Sequence, residues 1–229
     1  MTIWEKALWE LRLAIVACWR AKLQSVIFVA TFVVVIAANV VIFAIFRGLV
    51  IKPLPLPESE SIVITLNHYP KTNFGRVGAS IPNYYERSIG IPAFSQVAAV
   101  RFAPVVLMGE GSERVDAGFV TASFFPLLQT HASMGRLFLS DGAEKQNDRT
   151  VVLSHAFWVQ RFGGKSDIIG NVIRLNDSLY TVVGILPGSF RYPAAEPQLW
   201  LPLLPANDER APERRHSAGV DLIARLRKG

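Results

Sequence analysis

The apolar and charged positions divide the chain near residue 46. Residues 25–46 contain no charged side chain over 22 residues, and β-branched side chains cover every face of the helix they would form. Such a helix is about 33 Å long and matches a bilayer core of about 30 Å. A buried core helix would keep a polar stripe, and a signal peptide would have a shorter apolar region followed by a cleavage site. The pattern therefore predicts one transmembrane helix at residues 25–46.

Before this span, apolar residues recur at helical spacing through residues 1–24, with charged residues elsewhere around the helix. Trp4, Trp9 and Trp19 fall in this segment. An indole favours the membrane interface because its ring is apolar and its N–H stays near water. We predict a cytoplasmic amphipathic helix that lies in the interface and contacts membrane lipid through these tryptophans.

The basic residues on either side of the span predict its orientation. Four Lys or Arg residues lie in the 24 residues before it, and only Arg47 and Lys52 lie in the 20 after it. Cytoplasmic flanks carry the excess of basic residues. We therefore expect a bacterial inner-membrane protein with its N-terminus in the cytoplasm and its C-terminal domain in the periplasm.

Asn39 is the strongly polar side chain within the span. An amide in hydrocarbon favours a hydrogen-bonding partner, and such partners are often on a neighbouring helix. We regard Asn39 as a candidate helix-packing residue. The alternatives are a hydrogen bond to the helix's own backbone and a side chain that reaches toward the interface.

The sequence after the span predicts a Pro-rich spacer at residues 47–60 and one mixed domain at residues 61–229. Prolines at 53, 55 and 57 impose extended geometry on the spacer. Predicted strands cover 61–66, 97–108, 113–119, 150–154, 171–175, 178–186 and 220–226. Residues 176–177 form the turn of a hairpin, and residues 207–219 an exposed loop. We expect an α+β fold with two lobes.

Short helices interrupt these strands. Ser80 is predicted to cap one helix, Thr121 to cap another at residues 122–128, and Ser154 a third that ends at Gly163. A polar loop is expected at residues 141–148.

Charge and chemistry exclude several function classes. The net charge of +6 is spread along the chain, and no dense basic stripe suits nucleic acid. The four histidines stand far apart, Cys18 is the single cysteine, and Val159 occupies a glycine position of a phosphate loop ending at residue 166. We predict a non-enzymatic protein with no metal or cofactor.

Three blocks, at residues 151–164, 169–176 and 180–190, resemble the MacB-like periplasmic core domain of acidobacterial duplicated orphan permeases. The resemblance continues at residues 43–57, 120–128, 135–138 and 199–203. It implies a first transmembrane helix and a two-lobed periplasmic domain that transmits movement from a separate cytoplasmic ATPase. The permeases continue into further transmembrane helices, whereas this sequence stops at Gly229.

Two functions follow. We favour a single-pass accessory or structural subunit that docks on a larger inner-membrane complex, such as a photosynthetic reaction centre with its antenna, a respiratory complex or a secretion complex. The alternative is a fragment or split half of an ABC exporter permease, whose partner is an ABC ATPase.

Overall fold

A computed structural model describes Trp9 and residues 22–46, 57–68, 76–109, 111–138 and 149–227. The chain divides into two compact units, Met1–Pro53 and Leu54–Gly229. The predicted loop at residues 141–148 lies outside the described residues.

Helix α1 spans Lys22–Phe46 and contains the predicted transmembrane segment. Within it, Val26–Ala44 is long and apolar enough to cross a membrane, and it is the one such helix among the described residues. Large apolar side chains are exposed all around it; Phe28 and Phe32, for example, are each 67% exposed. A helix that is apolar on every face is typical of a membrane span.

The second unit is rich in strands. Its α-helices are α2 (Ile81–Gly90), α3 (Phe124–Leu127) and α4 (His155–Phe162), and its strands are β1 (Ile62–Thr65), β2 (Asn67–His68), β3 (Arg76–Val77), β4 (Phe94–Met108), β5 (Ser112–Val120), β6 (Met134–Gly135), β7 (Thr150–Leu153), β8 (Val172–Leu175), β9 (Ser178–Ile185), β10 (Leu199–Pro202) and β11 (Asp221–Leu226). Single-turn 3₁₀ helices lie at Ser59–Ser61 and Ser166–Ile168, and a longer one at Pro212–His216. This mixture confirms the α+β prediction.

Nine described strands form one sheet in the order β1-β11-β4-β5-β10-β7-β9-β6. Strand β8 pairs with β9 and also with the far end of β4, at Leu107 and Met108. The pairings of β4, β5, β10, β7, β9 and β8 therefore close into a ring of six strands. Strands β11 and β1 extend the sheet from the other end of β4, where Asp221–Leu226 pairs with residues 94–100.

The ring encloses an aliphatic cluster, the barrel core. Its side chains stand two residues apart along five strands, as the alternation of a strand requires. They are Val105 and Leu107, Val115 and Ala117, Val151 and Leu153, Ile173 and Leu175, and Leu199 and Leu201. Phe157 of α4 and Ile168 also belong to this cluster.

The opposite face of the sheet carries the aromatic core, which comprises Phe124, Phe125, Phe138, Tyr192 and Trp200 with neighbouring aliphatic residues. Trp200 lies at its centre, with ring centroids 5.2 Å from Phe124 and 5.6 Å from Phe125. Gly118 makes room for the indole, because a Cβ there would lie 2.6 Å from the Trp200 ring. A larger residue in β5 would displace Trp200.

Helix α2 covers a third, smaller cluster that includes Ile81, Ala99 and Leu222. Ser80 caps α2 as predicted: its hydroxyl accepts from the Asn83 amide at 3.3 Å, and the Asn83 side chain accepts from the Ser80 amide. Arg87 connects α2 to β1 by donating to the Thr65 hydroxyl at 3.0 Å.

The hairpin of β8 and β9 is confirmed, with Asn176 at a φ of 51° in its turn. Ser154 caps α4, and Gly163 ends it in the left-handed region, both as predicted. The Thr121 prediction is wrong, because its hydroxyl accepts from the Ala99 amide of β4 and the cap position of α3 is Ser123.

The strand predicted at residues 61–66 is present as β1, but it is not buried. It lies at the end of the sheet and leaves Ile64 60% exposed. Four of the described strands, β2, β3, β6 and β10, are outside the predicted set, and β2 and β3 have two residues each. β10 has four residues and all four are buried, whereas β6 has only two residues. A short run such as 199–202 shows no alternation by which a strand is detected.

Candidate functional site

The chain enters and leaves the domain at one place. Strands β1 and β11 are antiparallel, with Ile62 opposite Arg225 and Thr65 opposite Leu222. The start of β1 therefore lies beside the end of β11. Residues 57–61, which we call the incoming segment, follow α1 along the sequence and reach the domain at this point.

A buried arginine lies at this junction. Arg225 is 7% exposed, and its guanidinium contacts the incoming segment and the end of α3. In the sequence, Arg225 begins a short basic run that also contains Arg227 and Lys228. Its burial could not be read from the pattern, because it takes a position in β11 at which the neighbours on both sides are apolar.

Two of the clefts on the described part of the domain surface are lined by charged side chains. One, with a volume of about 160 Å³, lies between α4 and the aromatic core, and His155, Gln160 and Arg191 line it. The other, of about 280 Å³, is a charged crevice in which Arg101 pairs with Glu209 at 2.7 Å and Arg214 with Asp208 at 3.4 Å. Since these cations are paired with carboxylates, the crevice carries no net charge suited to an ionic ligand.

The fold perturbs the ionisation of Tyr192. Burial in the aromatic core raises the pKa of its hydroxyl to about 12, and the negative charge of Asp221 adds to the shift. A phenol with so high a pKa stays protonated at neutral pH and is poorly suited to act as a base. Tyr192 is therefore a core residue.

The predicted site residues belong to the first unit. Trp9 is 62% exposed, while Trp4 and Trp19 lie outside the described residues. The Asn39 amide donates to the Val35 carbonyl at 2.9 Å, the backbone bond considered as one alternative. The lipid contact of the tryptophans and the packing role of Asn39 stay predictions.

Among the described residues, no three His, Cys, Asp or Glu side chains stand close enough together to hold a metal ion. Every buried side-chain N or O atom in that part of the chain has a hydrogen-bond partner.

An apolar helix long enough to cross a membrane, followed by a mixed domain, is typical of a membrane-anchored protein with a folded domain outside the membrane. The family described as "MacB-like periplasmic core domain" matches residues 25–229. The chain belongs to this family, as the resemblance predicted. It is a membrane protein with an ABC transporter permease-like periplasmic or extracellular domain.

Solved structures share the fold. The periplasmic region of MacB from Actinobacillus actinomycetemcomitans is 14% identical with a TM-score of 0.51, over 72% of this chain and 73% of that one. A domain of a putative permease from Porphyromonas gingivalis is 18% identical with a TM-score of 0.54, over 76% and 78%. The extracellular domain of the noncanonic ABC-type transporter YknZ from Gram-positive bacteria is 13% identical with a TM-score of 0.53, over 73% and 84%. No curated protein matches the chain.

Proposed function

We propose that the chain transmits movement between the membrane and the periplasm as part of an ABC exporter permease that a separate cytoplasmic ATPase drives. The observation that carries the proposal is the antiparallel pairing of β1 with β11. It places both ends of the domain at one edge, so a displacement of residues 57–61 would act on β1 and β11 together.

The domain is suited to this task because it is stiff. The six-stranded ring is filled by aliphatic side chains, and β4, 15 residues long, runs from the ring to the edge that bears β11 and β1. Densely packed interiors transmit displacement with little internal adjustment. A movement at the β1 edge would therefore turn the whole sheet.

The proposal includes the location of the chain and a non-enzymatic role. The N-terminus lies in the cytoplasm of a bacterial inner membrane, because basic residues are in excess before the span. The non-enzymatic role is supported by the Ser154 hydroxyl, which lies in the cleft with His155 but caps α4 by accepting from the Phe157 amide at 3.2 Å.

The test is purification of the full chain from its native membranes in a mild detergent, followed by identification of what accompanies it. We expect an ABC-type ATPase to accompany the chain. We also expect the distance between a label on the domain and a label on α1 to change when ATP is added. The accessory-subunit hypothesis predicts a different result: a larger complex without a nucleotide-binding subunit, in which the distance between the two labels does not change when ATP is added. That outcome, or a chain that purifies alone, would overturn the proposal.

A further inference from the structure

Arg225 connects three separate parts of the domain at the junction described above. Its Nε donates to the Leu127 carbonyl at 2.8 Å, its Nη1 to the Ser61 hydroxyl at 2.7 Å, and its Nη2 to the Pro57 carbonyl at 3.2 Å. Nη1 also lies 3.4 Å from the Glu58 carbonyl and from its carboxylate. One side chain of the last strand thus holds the incoming segment and the end of α3.

The backbone of the incoming segment is shaped to this arrangement. Glu58 has a φ of 51° and a ψ of 43°, a left-handed conformation that non-glycine residues seldom adopt. In this conformation its carbonyl accepts from the Ser61 amide at 3.0 Å and from the Ser61 hydroxyl at 2.8 Å. Such a conformation persists only where the surrounding contacts hold it. Arg225 supplies contacts of that kind.

A guanidinium suits this position better than an ammonium would. Its donors point in fixed directions within one plane, so it can bond groups on several sides at once. The Arg225 side chain is 9% exposed, so water competes little with these bonds. The other described ion pairs involve side chains that are at least 31% exposed.

We propose that Arg225 is a positioning residue that locks the incoming segment onto the last strand and the end of α3, so that these three parts move as one body. Without it, the incoming segment would bend at residues 57–61 and movement of the membrane helix would be absorbed there. The inference goes beyond the proposed function, because the joint would act in the same way with any membrane partner.

The test measures a distance distribution in the full chain reconstituted in nanodiscs. Spin labels are attached at Glu60→Cys in the incoming segment and at Asp177→Cys in the hairpin turn, where the native side chain is 93% exposed. Cys18, the single native cysteine, is replaced by Cys18→Ser. We expect a narrow distribution for this parent and one at least twice as wide in Arg225→Met, which keeps the apolar stem but no donors. Arg225→Lys should fall between them.

Arg101→Met is the matched control. Arg101 also bonds a carbonyl, that of Gly219 at 2.8 Å, and a carboxylate, that of Glu209, but it does not contact the incoming segment. We expect the Arg101→Met distribution to equal that of the parent. A distribution in Arg225→Met as narrow as the parent's would overturn the proposal.

Hydrogen exchange separates a lost joint from a lost fold. In Arg225→Met the Ser61 amide should exchange at least tenfold faster, while amides of β7 and β9 stay protected. If amides throughout the domain of Arg225→Met exchange fast, Ser61→Ala and Glu58→Ala replace that variant, since each removes one side-chain acceptor from Arg225. Broadening in these two variants supports the joint, and parent-like widths in both overturn it. No step requires an ATPase, so failure here is distinguishable from failure of the proposed function.

Discussion

Helix α1 and the aromatic core are built from the same kinds of side chain, yet they meet opposite surroundings. Phe28 and Phe32 of α1 are each 67% exposed, whereas Phe124 and Phe125 of the aromatic core are 0% exposed. The core side chains are covered by Trp200 and Tyr192, while those of α1 have no such cover among the described residues of their own unit. In a membrane, lipid or a neighbouring helix would cover the side chains of α1. Substitutions in the two regions should change two different properties, membrane association and folding.

The largest effect is expected from Trp200→Ala in the aromatic core. Removing a buried Trp leaves a cavity, and such changes cost about 3–5 kcal/mol of the free energy of unfolding. Urea-dependent proteolysis of the full chain in detergent micelles would measure the loss. Phe32→Ala in α1 is the control, and we expect it to leave the urea midpoint of the domain unchanged. Equal shifts in both variants would contradict the comparison.

The converse change is Val34→Asp in α1, where the native side chain is 67% exposed. A carboxylate near the centre of a span costs about 2.5–3.5 kcal/mol on insertion scales. The fraction of chain that resists carbonate extraction from membranes should therefore fall, while the urea midpoint of the domain stays the same. Val34→Leu should behave as wild type. A loss of domain stability in Val34→Asp would mean that α1 takes part in the fold.

The buried hydroxyl of Tyr192 predicts that the stability of the domain depends on pH in a way that no side chain of α1 would produce. Its pKa in the folded domain is about 12, against about 10 in an unfolded chain. Below pH 10 the hydroxyl is protonated in both the folded and the unfolded state, and its ionisation takes nothing from the free energy of unfolding. Between pH 10 and 12 only the unfolded state loses the proton, so stability falls by about 2 to 3 kcal/mol. Tyr192→Phe should remove this part of the fall, and an unchanged pH profile in that variant would contradict the assignment.

The contrast also explains what the sequence could predict. Residues 25–46 could be recognised because a span needs only length and low polarity, both of which are local properties. The hairpin around Asn176 and the caps at Ser80 and Ser154 were found for the same reason: their signals lie within a few residues.

Features that depend on partners far away in the sequence could not be predicted. Strand β10 packs between β5 and β7, which precede it by about 80 and 50 residues, so its place in the ring depends on pairings that no local pattern contains. The burial of Arg225 could not be predicted, because its partners, at residues 57–61 and 127, are remote in sequence. The role of Gly118, which makes room for the Trp200 ring, is evident only from the structure.

A smaller effect is expected at the cap of α2. Ser80→Ala removes the hydroxyl that accepts from the Asn83 amide, and such losses cost about 1 kcal/mol. Hydrogen exchange of the first-turn amides of α2 would measure it. The control is Ser88→Ala in the last turn, where the hydroxyl is exposed and donates to the Tyr85 carbonyl. Equal exchange in both variants would show that the cap adds nothing.

The smallest effect concerns Asn39, the polar side chain on the lipid-exposed helix. One of its amide hydrogens bonds the Val35 carbonyl, and an amide offers a second hydrogen and an acceptor oxygen to a neighbouring helix. Interhelical bonds of this kind average about 0.6 kcal/mol, which is about a threefold change in association. Asn39→Leu should therefore lower recovery of membrane partners in mild detergent about threefold. Thr31→Ala is the control, since the Thr31 hydroxyl already donates its hydrogen to the Ile27 carbonyl. If Asn39→Leu and wild type recover the same partners in equal amounts, the amide serves the helix's own backbone, and lipid alone covers α1 at that position.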